Sequence, residues 1–263
     1  ELKESVRKAT RHLILQREAR RLAEEKRQIR FQFISVLTHE MKAPLAAAEG
    51  YLRIIKQKAA GDDPATYERM LDRSLIRLEG MRKMIFDLLD LTAIESGQRD
   101  RQLDTVDVAA LARKAVETFE PQAAERQITI TLHADGPTKM VADQGELEIV
   151  LNNLLSNAIK YNKNNGSINV TVSDDPETVT LDVADTGIGM AQEDAQKLFE
   201  DFVRIKNDKT RHILGSGLGL SIVRKIAALY NGNAAVESAP DEGSTFTVIF
   251  EKPQPPETPK NEN

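Results

Sequence analysis

Cysteine and tryptophan are both absent from the 263 residues of this chain. Without thiols there is no disulfide framework and no thiolate metal site. The lack is compatible with a reducing compartment. No apolar run reaches the ~18 residues that a membrane-spanning helix needs, and no signal peptide is visible. Excess positive charge is also missing. The formal net charge is −5, which gives no support to general nucleic-acid binding. What remains is 40% apolar and 29% charged residues, an ordinary water-soluble composition with enough apolar content for a packed core. The length suits two modest domains. The chain starts at Glu1, in the middle of a helical pattern, and the expectation is a piece of something longer.

From Glu1 to about Lys58 only Pro44 interrupts a helical pattern. Leu15, Leu22, Ile29 and Val36 recur every seven residues, the seam of a coiled coil. Arg17, Glu18, Arg20, Arg21, Glu24 and Glu25 read as solvated flanks. A highly charged single helix is the alternative, but a stripe of large apolar residues favours a partner. Ala59 to Pro64 is a break. A second helix is expected over about Ala65–Glu95, with a stripe of Leu71, Leu75, Leu78, Met81, Ile85, Leu88 and Leu91 and Gly97 as its C′ residue. Two antiparallel helices make a thin core, and pairing two copies into a four-helix bundle would bury the rest.

A polar linker, Gln98–Gln102, leads to a second domain. Helical patterns occupy Val108–Glu120, Gln144–Tyr161 and Gly217–Tyr230. Strand-like runs occupy Ile128–His133, Ser167–Ser173, Val179–Ala184, Ala234–Glu237 and Thr245–Phe250. Helices mixed with a largely antiparallel sheet give an α+β domain. From Pro253 the chain is proline-rich and polar, and reads as a disordered tail.

Four clusters carry chemistry. The first is Phe33-Ile-Ser-Val-Leu-Thr-His39-Glu40-Met-Lys-Ala-Pro44-Leu45. A neutral imidazole nitrogen is a good nucleophile near neutral pH. Glu40 is the adjacent carboxylate that could orient or deprotonate the ring, given a suitable rotamer, since neighbours do not share a helix face. Pro44 lacks an N–H and crowds the Glu40 carbonyl, which predicts a bend beside the chemistry. His12, His133 and His212 have no such surroundings and read as ordinary surface or packing residues. The second cluster is Asn153 and Asn157, four apart and therefore on one helix face. An amide oxygen is a hard ligand that suits phosphate-bound Mg²⁺. The third, Asp185-Thr-Gly187-Ile-Gly189, follows a strand, and the fourth, Gly215-Ser-Gly217-Leu-Gly219, opens a helix whose N–H groups would favour phosphate. Each glycine string is weak alone. Two surface asparagines or two loops would be the plain reading of either. The order and spacing of all four together are not.

Together these residues resemble the sensor histidine kinases of bacterial two-component signalling, from about Phe31 to Phe250. The resemblance implies a multidomain chain. Residues 1–30 would be a coiled-coil signal-transmitting helix, and 31–97 an all-α antiparallel hairpin for dimerisation and histidine phosphotransfer, forming a dimeric four-helix bundle. Residues 98–102 would be a linker, 103–252 an α+β sandwich ATP-binding domain of the Bergerat type, and 253–263 a tail. It implies that His39 accepts phosphate with Glu40 as its helper, and that Asn157 ligates Mg²⁺ with Asn153 in support. Lys160 would touch phosphate, Tyr161 would pack by the nucleotide, and Asp185 would accept from the adenine amino group. Gly187, Gly189, Gly215, Gly217 and Gly219 would shape the ATP site. Between the glycine strings, the residues themselves suggest that Phe199 and Phe202 anchor a mobile segment whose basic residues, Lys206, Lys209, Arg211 and His212, would close on the triphosphate as a lid. A solvated basic loop is the equal alternative for each of them, while Arg204 matches the family pattern. Gly243-Ser-Thr-Phe246 completes the pattern.

The implied cofactors are ATP and Mg²⁺. The implied partners are a second copy of the chain and the receiver domain of a response regulator, with an upstream sensor domain missing from this piece and no nucleic acid. The expected location is cytoplasmic, below a parent that is soluble or anchored in the inner membrane. Ala43 departs from the family pattern, in which a polar residue is associated with dephosphorylating the partner. With no hydrogen-bonding side chain there, weak or absent phosphatase activity is expected. Hydrolysing relatives of the fold carry a glutamate where Asn153 stands, so transfer to a side chain is expected rather than to water. The rival class is a pseudokinase-type dimeric scaffold that binds a regulator without phosphotransfer. Intact His39, Asn157, Asp185 and glycine strings argue against it.

Overall fold

The computed structural model describes residues 2–97, 100–205, 207–210, 213 and 215–252. The chain divides into two units, with the boundary inside one helix between Arg82 and Lys83. The first unit holds helix α1 (Leu2–Gln57) and the start of helix α2 (Pro64–Ser96). Pro44 lies inside α1, and the helix continues past it. The side chains of Leu15, Leu22 and Ile29 lie outside the described residues, and Val36 is exposed. The break comes where the sequence places it. Lys58 and Gly61 adopt positive φ, and Asp63 caps α2 by accepting from the Ala65 N–H at 3.1 Å and the Thr66 hydroxyl at 2.8 Å. Those donors, the hydroxyl first, hold its carboxyl below the usual range. At the far end Gly97 takes φ +61, as its expected C′ role requires.

The second unit is built on a five-stranded sheet with strands β2 (Thr129–Ala134), β4 (Ser167–Asp174), β5 (Thr178–Asp185), β6 (Asn233–Ala239) and β7 (Gly243–Glu251). Their order is β2-β4-β5-β7-β6. The β2–β4 pair is parallel and the other three pairs are antiparallel. Helices α3 (Val108–Ala124), α4 (Gln144–Lys160) and α6 (Gly219–Leu229) pack on it. Period-two alternation decides which side chains meet them. Val179, Leu181 and Val183 are buried on β5, as are Ile168, Val170 and Val172 on β4. Opposite them α4 buries Leu147, Val150, Leu151, Leu154, Leu155 and Ala158 at helical spacing.

Two elements depart from the expectation. A two-stranded antiparallel ribbon, β1 (Leu103–Asp107) with β3 (Lys139–Asp143), was not foreseen. Helix α3 also runs through Pro121 rather than stopping at Glu120. Burial of Ala123 beyond the proline continues the apolar face. A one-turn helix, α5 (Gln192–Ala195), lies in the segment between the glycine strings. Of the expected linker, Gln98 and Arg99 lie outside the described residues, as do Lys206, Arg211, His212 and the tail from Pro253.

Candidate functional site

Asp185 is the last residue of β5 and continues the row Val179–Leu181–Val183, so the strand's own pleat turns a carboxylate toward the helical layer. It is buried, and its Oδ1 accepts the Gly187 N–H at 2.8 Å. Burial pushes its carboxyl up to about 6, against the pull of N–H groups from Gly187 and Ser244. The Asp-Thr-Gly turn is fixed from behind. The Thr186 hydroxyl accepts the Ser167 N–H at 2.9 Å, and buried Asn162 donates to the Ser167 carbonyl at 3.1 Å. Gly189 has φ +54, and a Cβ there would come 1.8 Å from the Ala239 carbonyl oxygen, so no other residue fits.

Helix α4 supplies the next group. Asn153, Asn157 and Lys160 all line the same cleft, together with Tyr161, Asp185, Gly189 and Arg204. The two asparagines differ in use. Asn153 is buried, its amide donates to the Ile149 carbonyl at 2.9 Å, and its Oδ1 lies where a Cβ on Gly219 would come within 2.4 Å. It therefore packs closely against Gly219, the first residue of α6. The half-buried Asn157 side chain has no protein partner among the described residues. Lys160 is likewise without an ion-pair partner among them. Burial, then Lys83 and Arg204, lower its ammonium to about 8, while Asp87 opposes them. Burial also raises the Tyr161 phenol, against Arg204. Arg126 at the end of α3 fastens the C-terminus of α4, donating to the Ile159, Lys160 and Asn162 carbonyls, the last at 2.7 Å.

Gly215, Gly217 and Gly219 also line the cleft, although α6 begins at Gly219, not at Gly217. Gly187 is buried behind Asp185 and does not line it. In the intervening segment Phe199 is buried under the Arg224 guanidinium, 6.0 Å from the ring centre. Arg204 donates to the Ile213 carbonyl at 2.6 Å, tying the segment to itself. Lys209 pairs with Asp241 and does not line the cleft. His39 is exposed on α1 of the first unit, and Glu40 beside it is half-buried.

The cleft thus has an apolar wall (Ile188, Met190, Leu198, Phe246) with a buried carboxylate at one place and cations at another. That is the chemistry of a purine-phosphate site. Among the described residues no group of three or more His, Asp or Glu side chains could hold a metal ion by itself.

Residues 29–97 match the family described as His Kinase A (phospho-acceptor) domain. Residues 142–254 match the family described as Histidine kinase-, DNA gyrase B-, and HSP90-like ATPase. The chain belongs to the sensor histidine kinases. The chain is 32% identical over 233 residues to the sensor-like histidine kinase SenX3 of Mycolicibacterium smegmatis, a match covering 89% of the chain and 60% of the relative. It is 36% identical over 214 residues to the sensor protein CreC of Escherichia coli, covering 81% and 43%. The chain therefore spans about half the length of these relatives. Its fold matches that of histidine kinase ThkA solved in complex with response regulator protein TrrA. The TM-score is 0.67 with 22% identity, over 88% of this chain and 63% of that one.

Four residues of the site carried little or no sequence signal. Asn162 and Arg126 work through backbone carbonyls, and no motif marks them. Lys83 and Asp87 line the cleft from α2, far from the glycine strings in sequence. Only their four-residue spacing on one helix face was readable.

Proposed function

We propose that this chain binds ATP in the cleft, transfers its γ-phosphoryl group to His39, and passes that group to an aspartate on the receiver domain of a response regulator. One observation carries the reading. A single chain holds a histidine-acid pair in its phospho-acceptor region and, in its other unit, a cleft combining buried Asp185 with Asn157 and Lys160, which have no hydrogen-bond or ion-pair partner for their side chains among the described residues. Asp185 would accept from the adenine amino group, and Tyr161 and the apolar wall would hold the ring. Lys160, Arg204 and the N–H groups of the glycine string would face the phosphates.

Asn157 fits a Mg²⁺ ion bridging phosphate oxygens, because it offers one hard, uncommitted amide oxygen and leaves the remaining positions to phosphate and water. When bound, such an ion would neutralise charge on the leaving phosphates. Asn153 is already committed to Ile149 and carries no basic group, which supports transfer to a side chain over transfer to water.

At His39 a neutral ring nitrogen forms the P–N bond as the bond from the γ-phosphorus to the β-phosphate oxygen breaks, and ADP leaves. Glu40 orients the ring and takes the proton from its other nitrogen. A receiver aspartate then attacks the phosphoimidazole, forming an acyl phosphate and returning the imidazole. Residues 31–97 act here as the dimeric phosphotransfer hairpin and 103–252 as the catalytic domain. Residues 1–30 transmit a signal from a sensor elsewhere on a longer protein. The described helices include none long and apolar enough to cross a membrane, and we place this portion in the cytoplasm.

Incubation with γ-labelled ATP tests the reading. Label that is acid-labile, base-stable and absent from His39→Ala is the expected result. Label that survives His39→Ala overturns it.

A further inference from the structure

The second unit includes the last part of α2, from Lys83 onward, and that part reaches the nucleotide cleft. Asp87 is buried, and its Oδ2 accepts the Ser216 hydroxyl at 2.7 Å. Ser216 is the middle of the Gly-Ser-Gly string at the start of α6, and its oxygen in turn accepts the Leu218 N–H at 3.2 Å. Lys160 lies close by, with its ammonium 3.9 Å from where a Cβ on Gly215 would stand. A hydroxyl in a glycine string at a helix start, beside a half-buried ammonium, is what a phosphate oxygen would seek. A carboxylate already sits there. Two turns further along α2, Glu95 pairs with Lys225 of α6 at 2.6 Å, and Lys225 also meets Asp201 at 3.2 Å. The helix is thus held to the Gly-Ser-Gly string by Asp87 and to the middle of α6 by Glu95, and the first of these points is inside the site.

We propose that Asp87 is an internal competitor for the phosphate groups of the nucleotide, and so a residue that sets ATP affinity. Its carboxylate takes the Ser216 hydroxyl and faces the cations that phosphate would face. Nucleotide binding displaces it, and the like charge of the phosphates resists its return. The competition acts on the phosphates alone, because Asp185 and the apolar wall stand elsewhere in the cleft. The inference rests on the nucleotide reading of the site.

Titration of the full chain with ATP, ADP and adenosine, for wild type, Asp87→Asn and Asp87→Ala, tests it. Removing a charged acceptor is expected to tighten ATP about tenfold and ADP in the same direction, with adenosine within about twofold of wild type. Unchanged or weaker ATP binding overturns the competition, as does an equal gain for adenosine, which would mark a general loosening of the cleft. Should burial of position 87 prevent either variant from folding, exposed Glu95→Gln releases the second point. It is expected to tighten ATP by about twofold to threefold with adenosine unchanged, and no gain there is equally decisive against the proposal. A wild-type chain that binds neither ATP nor adenosine removes the nucleotide reading itself. Wild-type ATP binding without a gain in the variants removes only the role of Asp87.

Discussion

Asp185 ends a row of buried valine and leucine, and that position makes it both useful and costly. Its carboxyl is raised to about 6 by burial. The folded chain therefore holds its proton more tightly than the unfolded chain does, whose carboxyl titrates near 3.8. Stability from this group is intact below about pH 4 and falls as pH rises toward 6. The cost is fully present above that, at most about 3 kcal/mol. Asp185→Asn is accordingly expected to raise the melting temperature of the nucleotide-free protein at pH 7, with the gain vanishing near pH 4. The same variant should weaken ATP binding at least about tenfold through loss of a charged acceptor. Calorimetric melting and titration at both pH values check the two effects. A stabilised variant that still binds ATP normally would leave Asp185 without its proposed role.

Elements are held in register by polar groups that join distant segments. Glu146, fully buried near the start of α4, accepts both Nε and Nη2 of Arg101 at 2.9 Å and the Tyr230 hydroxyl at 2.6 Å. The Arg101 guanidinium lies 4.8 Å from the centre of the Tyr230 ring. Burial, then the bond to Glu146, pushes the Tyr230 phenol up to about 12. The Gln102 N–H donates to Asp143, the N-cap of α4, at 2.9 Å. Arg101 and Gln102 are thus tied down at the entry to β1. Arg101→Ala leaves a buried carboxylate short of its cation and is expected to cost about 3 kcal/mol in urea unfolding. Adding Glu146→Gln should recover part of that loss, because the stranded charge is gone. A double variant as unstable as the sum of the two singles would contradict this coupling.

How much of these elements was legible depends on how local their causes are. Strand β5 was readable because its alternation lies within eight residues. Helix α4 was readable because its apolar spacing recurs within one continuous run, while its N-cap, Asp143, emerged only with the structure. The β1–β3 ribbon was not, since each strand is five residues of mixed polarity and its pairing joins Leu103 to Asp143 across the whole of α3 and β2. The expected end of α3 at Glu120 fell just before Pro121, and burial beyond that proline outweighed one missing N–H.

For the whole molecule, the helical arms leave large apolar residues in water. Leu71, Leu75, Ile76 and Leu78 are all more than 40% exposed in the first unit, as are Ile85, Phe86 and Leu89 in the α2 segment of the second. Such a stripe calls for a second copy. The chain is expected to sediment as a dimer. Replacing both Leu75 and Leu78 by Glu should yield monomers that keep ATP binding and lose His39 labelling. Sedimentation of the double variant as an undisturbed dimer would place the interface elsewhere.

The sequence by itself determined the His39-Glu40 pair, the alternation that aims Asp185 and the helical spacing that sets Asn153, Asn157 and Lys160 on one side of α4. Each is a consequence of backbone periodicity acting over a few residues. Only the tertiary structure decided that Arg126 would fasten the end of α4, that Arg101 would neutralise Glu146, and that Asp87 would enter the cleft to hold Ser216. Those choices join residues far apart in the chain. A charged side chain carries no record of its partner until packing removes water from both.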